Sequence, residues 1–136
     1  MRMGRPVTIK SSRDGITLEF IEYSGHHYGV ALRGADFNGA ASVYAEKPVE
    51  DPARLEDFFR DLAANWRGWP GEKTYESLEE ELLLKATSDC LGHTELEVRL
   101  TSGPPPFHWM LRAALLIEAG QLESIAKHVE EFFSAV

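Results

Sequence analysis

Several groups of residues in this chain have side chains that could do chemistry. The segment Thr87-Ser88-Asp89-Cys90-Leu91-Gly92-His93 gathers a hydroxyl, a carboxylate, a thiol and an imidazole within seven positions. A Cys90–His93 nucleophile pair needs the two side chains within hydrogen-bond reach and an oxyanion donor beside them. A turn rich in Ser, Asp and Gly between two strands has the same composition, and it is the plainer reading. The five histidines, His26, His27, His93, His108 and His128, raise the question of a metal. Adjacent His26 and His27 would point to opposite faces of a strand. There is no HExxH pair, and one cysteine cannot supply a thiolate cluster, so no metal site and no cofactor are expected.

Carboxylates are abundant. Glu79, Glu80 and Glu81 open one strand-like segment, and Glu95 and Glu97 project from the next. Paired acids can act as acid and base if one is desolvated, but a Glu-lined outer sheet face is ordinarily solvated. Lys85 and Arg99 could neutralise these acids across strands. The remaining use is an acidic binding face of Glu79, Glu81, Glu95 and Glu97. The segment Trp66-Arg67-Gly68-Trp69-Pro70-Gly71-Glu72-Lys73-Thr74-Tyr75 concentrates the residue types that dominate interfaces. Trp66 is expected in the core. Arg67, Trp69, Lys73 and Tyr75 are candidates for interaction, and Trp69 and Tyr75 are the ones whose exposure decides the matter. No phosphate-cradling loop is present, because the Gly34–Gly39 region lacks the GK[ST] ending.

The elements that must position these residues follow from periodicity. Alternation at Val7–Lys10 and over 16–23 predicts two strands joined by a turn ending in Asp14-Gly15. Tyr28, Val30 and Leu32 begin a third strand, and Val43 and Tyr44 belong to a fourth or to a bulged continuation of the third. Asp51 as N-cap and Pro52 at the first helical position open a helix with the apolar stripe Leu55, Phe58, Phe59, Leu62 and Trp66. Further strands are expected over 78–86 and 94–100. Residues 107–118 form the last strand, apolar on both faces and therefore expected at the centre of a sheet. Leu122, Ile125, Ala126, Val129, Phe132 and Phe133 form the stripe of a C-terminal helix. The expected fold is α+β: one antiparallel, twisted sheet of about six or seven strands with two amphipathic helices packed on it. A flexible arm over 1–6 and a single domain over 7–136 complete the layout, without an internal repeat.

Composition limits the function. The chain has 136 residues, 43% hydrophobic, with a formal net charge of −8. That length fits one domain and that charge disfavours a general nucleic-acid binder. No segment reaches the roughly 20 apolar residues of a membrane span, and no secretory signal is apparent, so a cytoplasmic protein is expected.

The second half also carries a resemblance. A Phe-rich helix runs into Trp66-Arg67-Gly68-Trp69, followed by Gly71-Glu72-Lys73 and Tyr75-Glu76-Ser77-Leu78. The Asp89–Gly92-His93 turn and Glu118-Ala119-Gly120-Gln121-Leu122-Glu123 complete the pattern over residues 50–136. In these features the chain resembles a family of small uncharacterised actinobacterial proteins. More distantly it is similar to WapI-type immunity proteins, which bind and neutralise a cognate toxin. The resemblance implies no catalytic residues. It implies a non-enzymatic protein-binding module, with a basic protein as a partner suited to the acidic surface. A homodimer through 107–118 or the Trp-rich loop is a further expectation. The alternative is a small-molecule-binding domain or enzyme with a pocket between sheet and helices, lined by Asp36, His108 or Arg112.

Overall fold

The structure is a computed structural model and describes residues 4–45 and 54–134. The α+β class is observed, but the sheet is not single. Strands β1 (Val7–Lys10), β2 (Thr17–Ile21), β3 (His27–Arg33) and β4 (Asn38–Tyr44) form one four-stranded sheet. Helix α1 (Leu55–Ala64) follows. Strands β5 (Glu72–Glu76), β6 (Leu82–Ser88), β7 (His93–Thr101) and β8 (Met110–Glu118) form a second sheet. A 3₁₀ turn, Ala119–Gln121, then leads into α2 (Leu122–Ser134). Each sheet is an antiparallel meander in sequence order. The chain therefore runs four strands and a helix, twice. This repeat of element order leaves no repeated motif in the sequence, because a strand needs only alternation and a helix only a stripe.

Both sheets bury one face in a shared core. On β2, Leu18 and Phe20 are inside; on β6, Leu82, Leu84 and Ala86; on β7, Leu96, Val98 and Leu100. The two helices pack against each other and each reaches the other half. On α1, Phe58 approaches Tyr75 of β5, with ring centroids 6.3 Å apart. Lys73 of β5 also pairs with Asp61 of α1 at 2.9 Å. On α2, Phe132 packs on Tyr23 and Tyr28 of the first half, with centroids at 5.9 and 6.4 Å. The sheets meet where Gly39 of β4 lies under Leu111 of β8. A Cβ at Gly39 would fall 2.5 Å from Leu111 Cδ2, so a larger residue there requires the Leu111 side chain to shift.

Three expectations are corrected. Strand β8 is an edge strand rather than a central one. Its second apolar face arises because the β1–β2 turn folds over it near Leu116, not because a strand lies beyond. Trp66, expected in the core, is 52% exposed. Helix α1 ends at Ala64 with Asn65 as C-cap, so the helical stripe stops before Trp66. Finally, α1 begins at Leu55, where Arg54 is extended and Asp57 accepts a hydrogen bond from its N–H at 3.2 Å. The expected cap residues Asp51 and Pro52 lie outside the described residues, as do residues 1–3 of the expected N-terminal arm. No helix of the described residues is long and apolar enough to cross a membrane.

Candidate functional site

Each sheet has two edge strands, β1 and β4 in the first and β5 and β8 in the second, and the chain treats β4 and β8 differently. The β8 edge is closed by the β1–β2 turn. Leu116 N–H donates to Ser11 Oγ at 3.0 Å, and Ser12 N–H donates to the Leu116 carbonyl at 2.9 Å. Arg13 adds a bond to the Ala114 carbonyl at 3.3 Å. The β4 edge meets the corresponding turn of the second half, between β5 and β6. There a single side chain makes the connection: Tyr44 N–H donates to Glu81 Oε2 at 3.1 Å. Ser77 Oγ holds the other carboxylate oxygen at 2.8 Å, and Leu82 N–H donates to Ser77 Oγ at 3.0 Å. Glu81 is buried, and these donors are the compensation that a buried carboxylate needs. Close beneath it, burial first, then the Tyr75 hydroxyl and the Glu81 charge, push the Tyr28 phenol well above its ordinary range.

Beyond Tyr44 the β4 edge stays open. Alternation along an antiparallel strand points the backbone groups of Ala40 and Ser42 to the same side as Tyr44 N–H, away from β3. Among the described residues they meet no partner. Ser42, with Ala41 and Tyr44, borders a cleft of about 370 Å³. Its walls are His27 and Tyr44, whose rings lie 5.3 Å apart, the Glu79–Glu81 turn, Thr101 to Gly103, and Trp109. Trp109 is 41% exposed, and its neighbour Met110 is exposed as well. This is a hydrogen-bonding strand edge beside an aromatic wall, with an exposed carboxylate, Glu79, at the rim.

The residues singled out from the sequence fall into separate places. Trp69 and Tyr75 are buried. The Trp69 indole N–H donates to the Ala86 carbonyl at 3.2 Å, and Lys73 lies over its ring at 5.7 Å. Arg67 stacks at 5.1 Å on the exposed Trp66. Glu79 and Glu81 belong to the cleft. Glu95 and Glu97 lie on the outer face of the second sheet, where Arg13 approaches Glu95 and Arg112 pairs with Glu97. The four acids therefore do not form one acidic face. Asp36, His108 and Arg112 are all exposed and sit in the β3–β4 turn, the β7–β8 loop and the outer face of β8. They do not converge on a pocket between sheet and helices. The β4 edge and Trp109 were missed, since an open edge is a property of strand order; the one sequence signal was Trp109 at the outer end of an apolar strand.

The Ser88–His93 turn forms no nucleophile. His93 Nδ1 is 2.8 Å from Asp89 Oδ2, and Nε2 is 3.5 Å from Glu118 Oε2. Both ring nitrogens thus face carboxylates. The Asp89 hydrogen bond and charge, then Glu118, hold the imidazolium above its usual range. Cys90 lies instead against Gly68, where an added Cβ would come within 2.6 Å of Sγ. The described residues hold no cluster of metal-ligating side chains.

The comparison with known proteins agrees with the span of this fold. A family model, described as a family of unknown function (DUF6228), matches residues 10–136. The chain belongs to that family. The match runs from the last residue of β1 through α2 and so includes strands β2 to β8 and both helices. No curated protein and no solved structure matches the chain.

Proposed function

We propose that this domain is a non-enzymatic binding module that takes an extended, basic segment of a partner protein along the open edge of β4. The carrying observation is the β4 edge, unpaired at Ala40 and Ser42 among the described residues, with Ser42 in a cleft walled by Trp109, His27 and Tyr44. An extended segment added there gains backbone hydrogen bonds, and its alternate side chains reach the aromatic wall. Glu79 at the rim and a net charge of −8 favour a basic segment and speed its encounter. An immunity-type role, the neutralisation of a basic toxin, is one biological form such binding would take.

The test uses an alternating Lys-Val peptide and its Glu-Val counterpart, followed by amide NMR shifts. The Lys-Val peptide should shift Ala40, Ser42 and the Trp109 indole, more weakly in high salt. Ser42→Pro removes only an outward N–H, which an edge strand tolerates. It should leave the fold intact and abolish the shifts. Equal binding of both peptides, or binding unaffected by Ser42→Pro, would overturn the proposal.

A further inference from the structure

The outer face of the second sheet carries a group of cations that the acidic character of the chain does not explain. Register places Arg99 of β7 between Leu83 of β6 and Arg112 of β8. One step along, Lys85 of β6 lies opposite Glu97. These residues, with Met110, line a small cleft of about 200 Å³. It holds three cationic side chains against one carboxylate, in a protein of net charge −8.

The carboxylate is already committed, because Glu97 accepts from Arg112 Nη2. Lys85 has a distant partner, Glu72, at 3.8 Å. Arg99 has no carboxylate partner among the described residues. Its guanidinium carbon lies 5.4 Å from the ring of Phe107, which the Gly103-Pro104-Pro105-Pro106 loop brings back over the sheet. Its Nε is buried and has no hydrogen-bond partner among the described residues. A buried N–H without an acceptor is uncommon and costly in a folded protein. Stacking on Phe107 occupies one face of the guanidinium, and with Nε buried a carboxylate in the guanidinium plane would meet the terminal Nη groups.

We infer that this cleft binds a small carboxylate bearing a short apolar group. The carboxylate would sit among Arg99, Arg112 and Lys85, and the apolar group against Leu83 and Met110. The volume is below that of pockets for drug-sized ligands, which limits the ligand to a few heavy atoms beyond the carboxylate. The site lies on a different face from the β4 cleft and does not depend on it.

Benzoate is the probe, with benzamide as its neutral analogue and inorganic phosphate as an anion lacking the apolar part. Titration is followed by NMR of the Arg99 Nε–H, the Met110 methyl and the amides of Leu83 and Arg112. Benzoate should shift this set, less in high salt, while benzamide and phosphate bind more weakly. Two exposed-face variants give opposite signs. Lys85→Gln should weaken benzoate by about twofold to fivefold, and Glu97→Gln should tighten it by a similar factor. Damage to the fold would weaken binding in both variants, so the opposite signs report on the site itself. No shift with benzoate, equal binding of benzamide, tighter binding of phosphate, or the same sign in both variants would overturn the inference.

Discussion

The two halves of the molecule repeat the same order of elements but close their sheet edges by different chemistry. The β1–β2 turn closes β8 over Ala114 to Glu118 mainly through neutral groups, Ser11 Oγ, Ser12 N–H and the Leu116 backbone, with the charged Arg13 on the Ala114 carbonyl and Ser12 Oγ on the Glu118 carboxylate. The β5–β6 turn touches β4 at one point, through the buried Glu81 carboxylate. Several neutral bonds spread along a strand cover it. One charged anchor fixes a single residue and leaves the rest of the edge open. An exposed edge is a standing template for another strand, and proteins normally blunt it. The open β4 edge therefore forms one wall of the cleft, and the second half supplies the facing wall from the Glu79–Glu81 turn, Thr101 to Gly103 and Trp109.

The largest expected effect concerns whether the two halves fold as one unit. Phe132 belongs to α2, yet it packs on Tyr23 and Tyr28 of the first half and is fully buried. Phe132→Ala should cost about 3–5 kcal/mol in urea unfolding. Hydrogen exchange should rise together in β2, β3, β6 and β7. If only the first sheet loses protection, the halves are separate folding units.

The second effect separates the charged anchor from the neutral seal. Glu81→Ala leaves Tyr44 N–H and the Ser77 hydroxyl without their acceptor in a buried site, and should cost about 2–3 kcal/mol. Ser11→Ala removes one neutral acceptor while the bond from Ser12 to Leu116 survives, and should cost about 1 kcal/mol. Urea midpoints at constant slope measure both. Equal costs would remove the distinction between the two closures.

Most of this layout was legible in local pattern. Alternation located seven of the eight strands, and the stripes located both helices, because a half-buried strand and a surface helix write their periods into the chain; β5 (Glu72–Glu76) was missed, because residues 66–75 read as a loop. What failed depended on neighbours in space. Strand β8 reads as central, since Leu116 and Ala114 are apolar on the outward face, yet a turn 100 residues away in sequence covers them. Trp66 continues the spacing of Leu55, Phe58 and Leu62, but the helix stops at Ala64 before that spacing can be used. Trp69 looks like an interface residue in a glycine-rich loop, while the partner of its N–H, Ala86, lies on another strand. Glu81 was legible as a residue of interest within a Glu-rich run. Its burial was not, because that requires β4 to arrive beside it.

The smallest effect lies beside the sealed stretch of β8, where His93 sits between Asp89 and Glu118. Asp89 is held below its usual range by the Leu91 N–H and by His93, and His93 is held above its own by Asp89 and Glu118. The raised imidazolium contributes stability that is complete below its unfolded value of about 6.5 and disappears as pH rises through the higher folded value. The depressed carboxylate contributes above its unfolded value of about 3.9 and loses that contribution as pH falls through the lower folded value. The pair is therefore strongest between about pH 4 and 6.5. Both side chains are exposed, so solvent and salt screen the attraction. His93→Gln should lower the melting temperature slightly in that window and leave it nearly unchanged above it. Added salt should shrink the difference. A difference that instead grows toward alkaline pH would mean that neutral His93 is the stabilising form, and that the turn beside β8 is held by hydrogen bonds rather than by charge. In that case the neutral closure of β8 would extend to Glu118, and the contrast with the charged anchor at Glu81 would be sharper still.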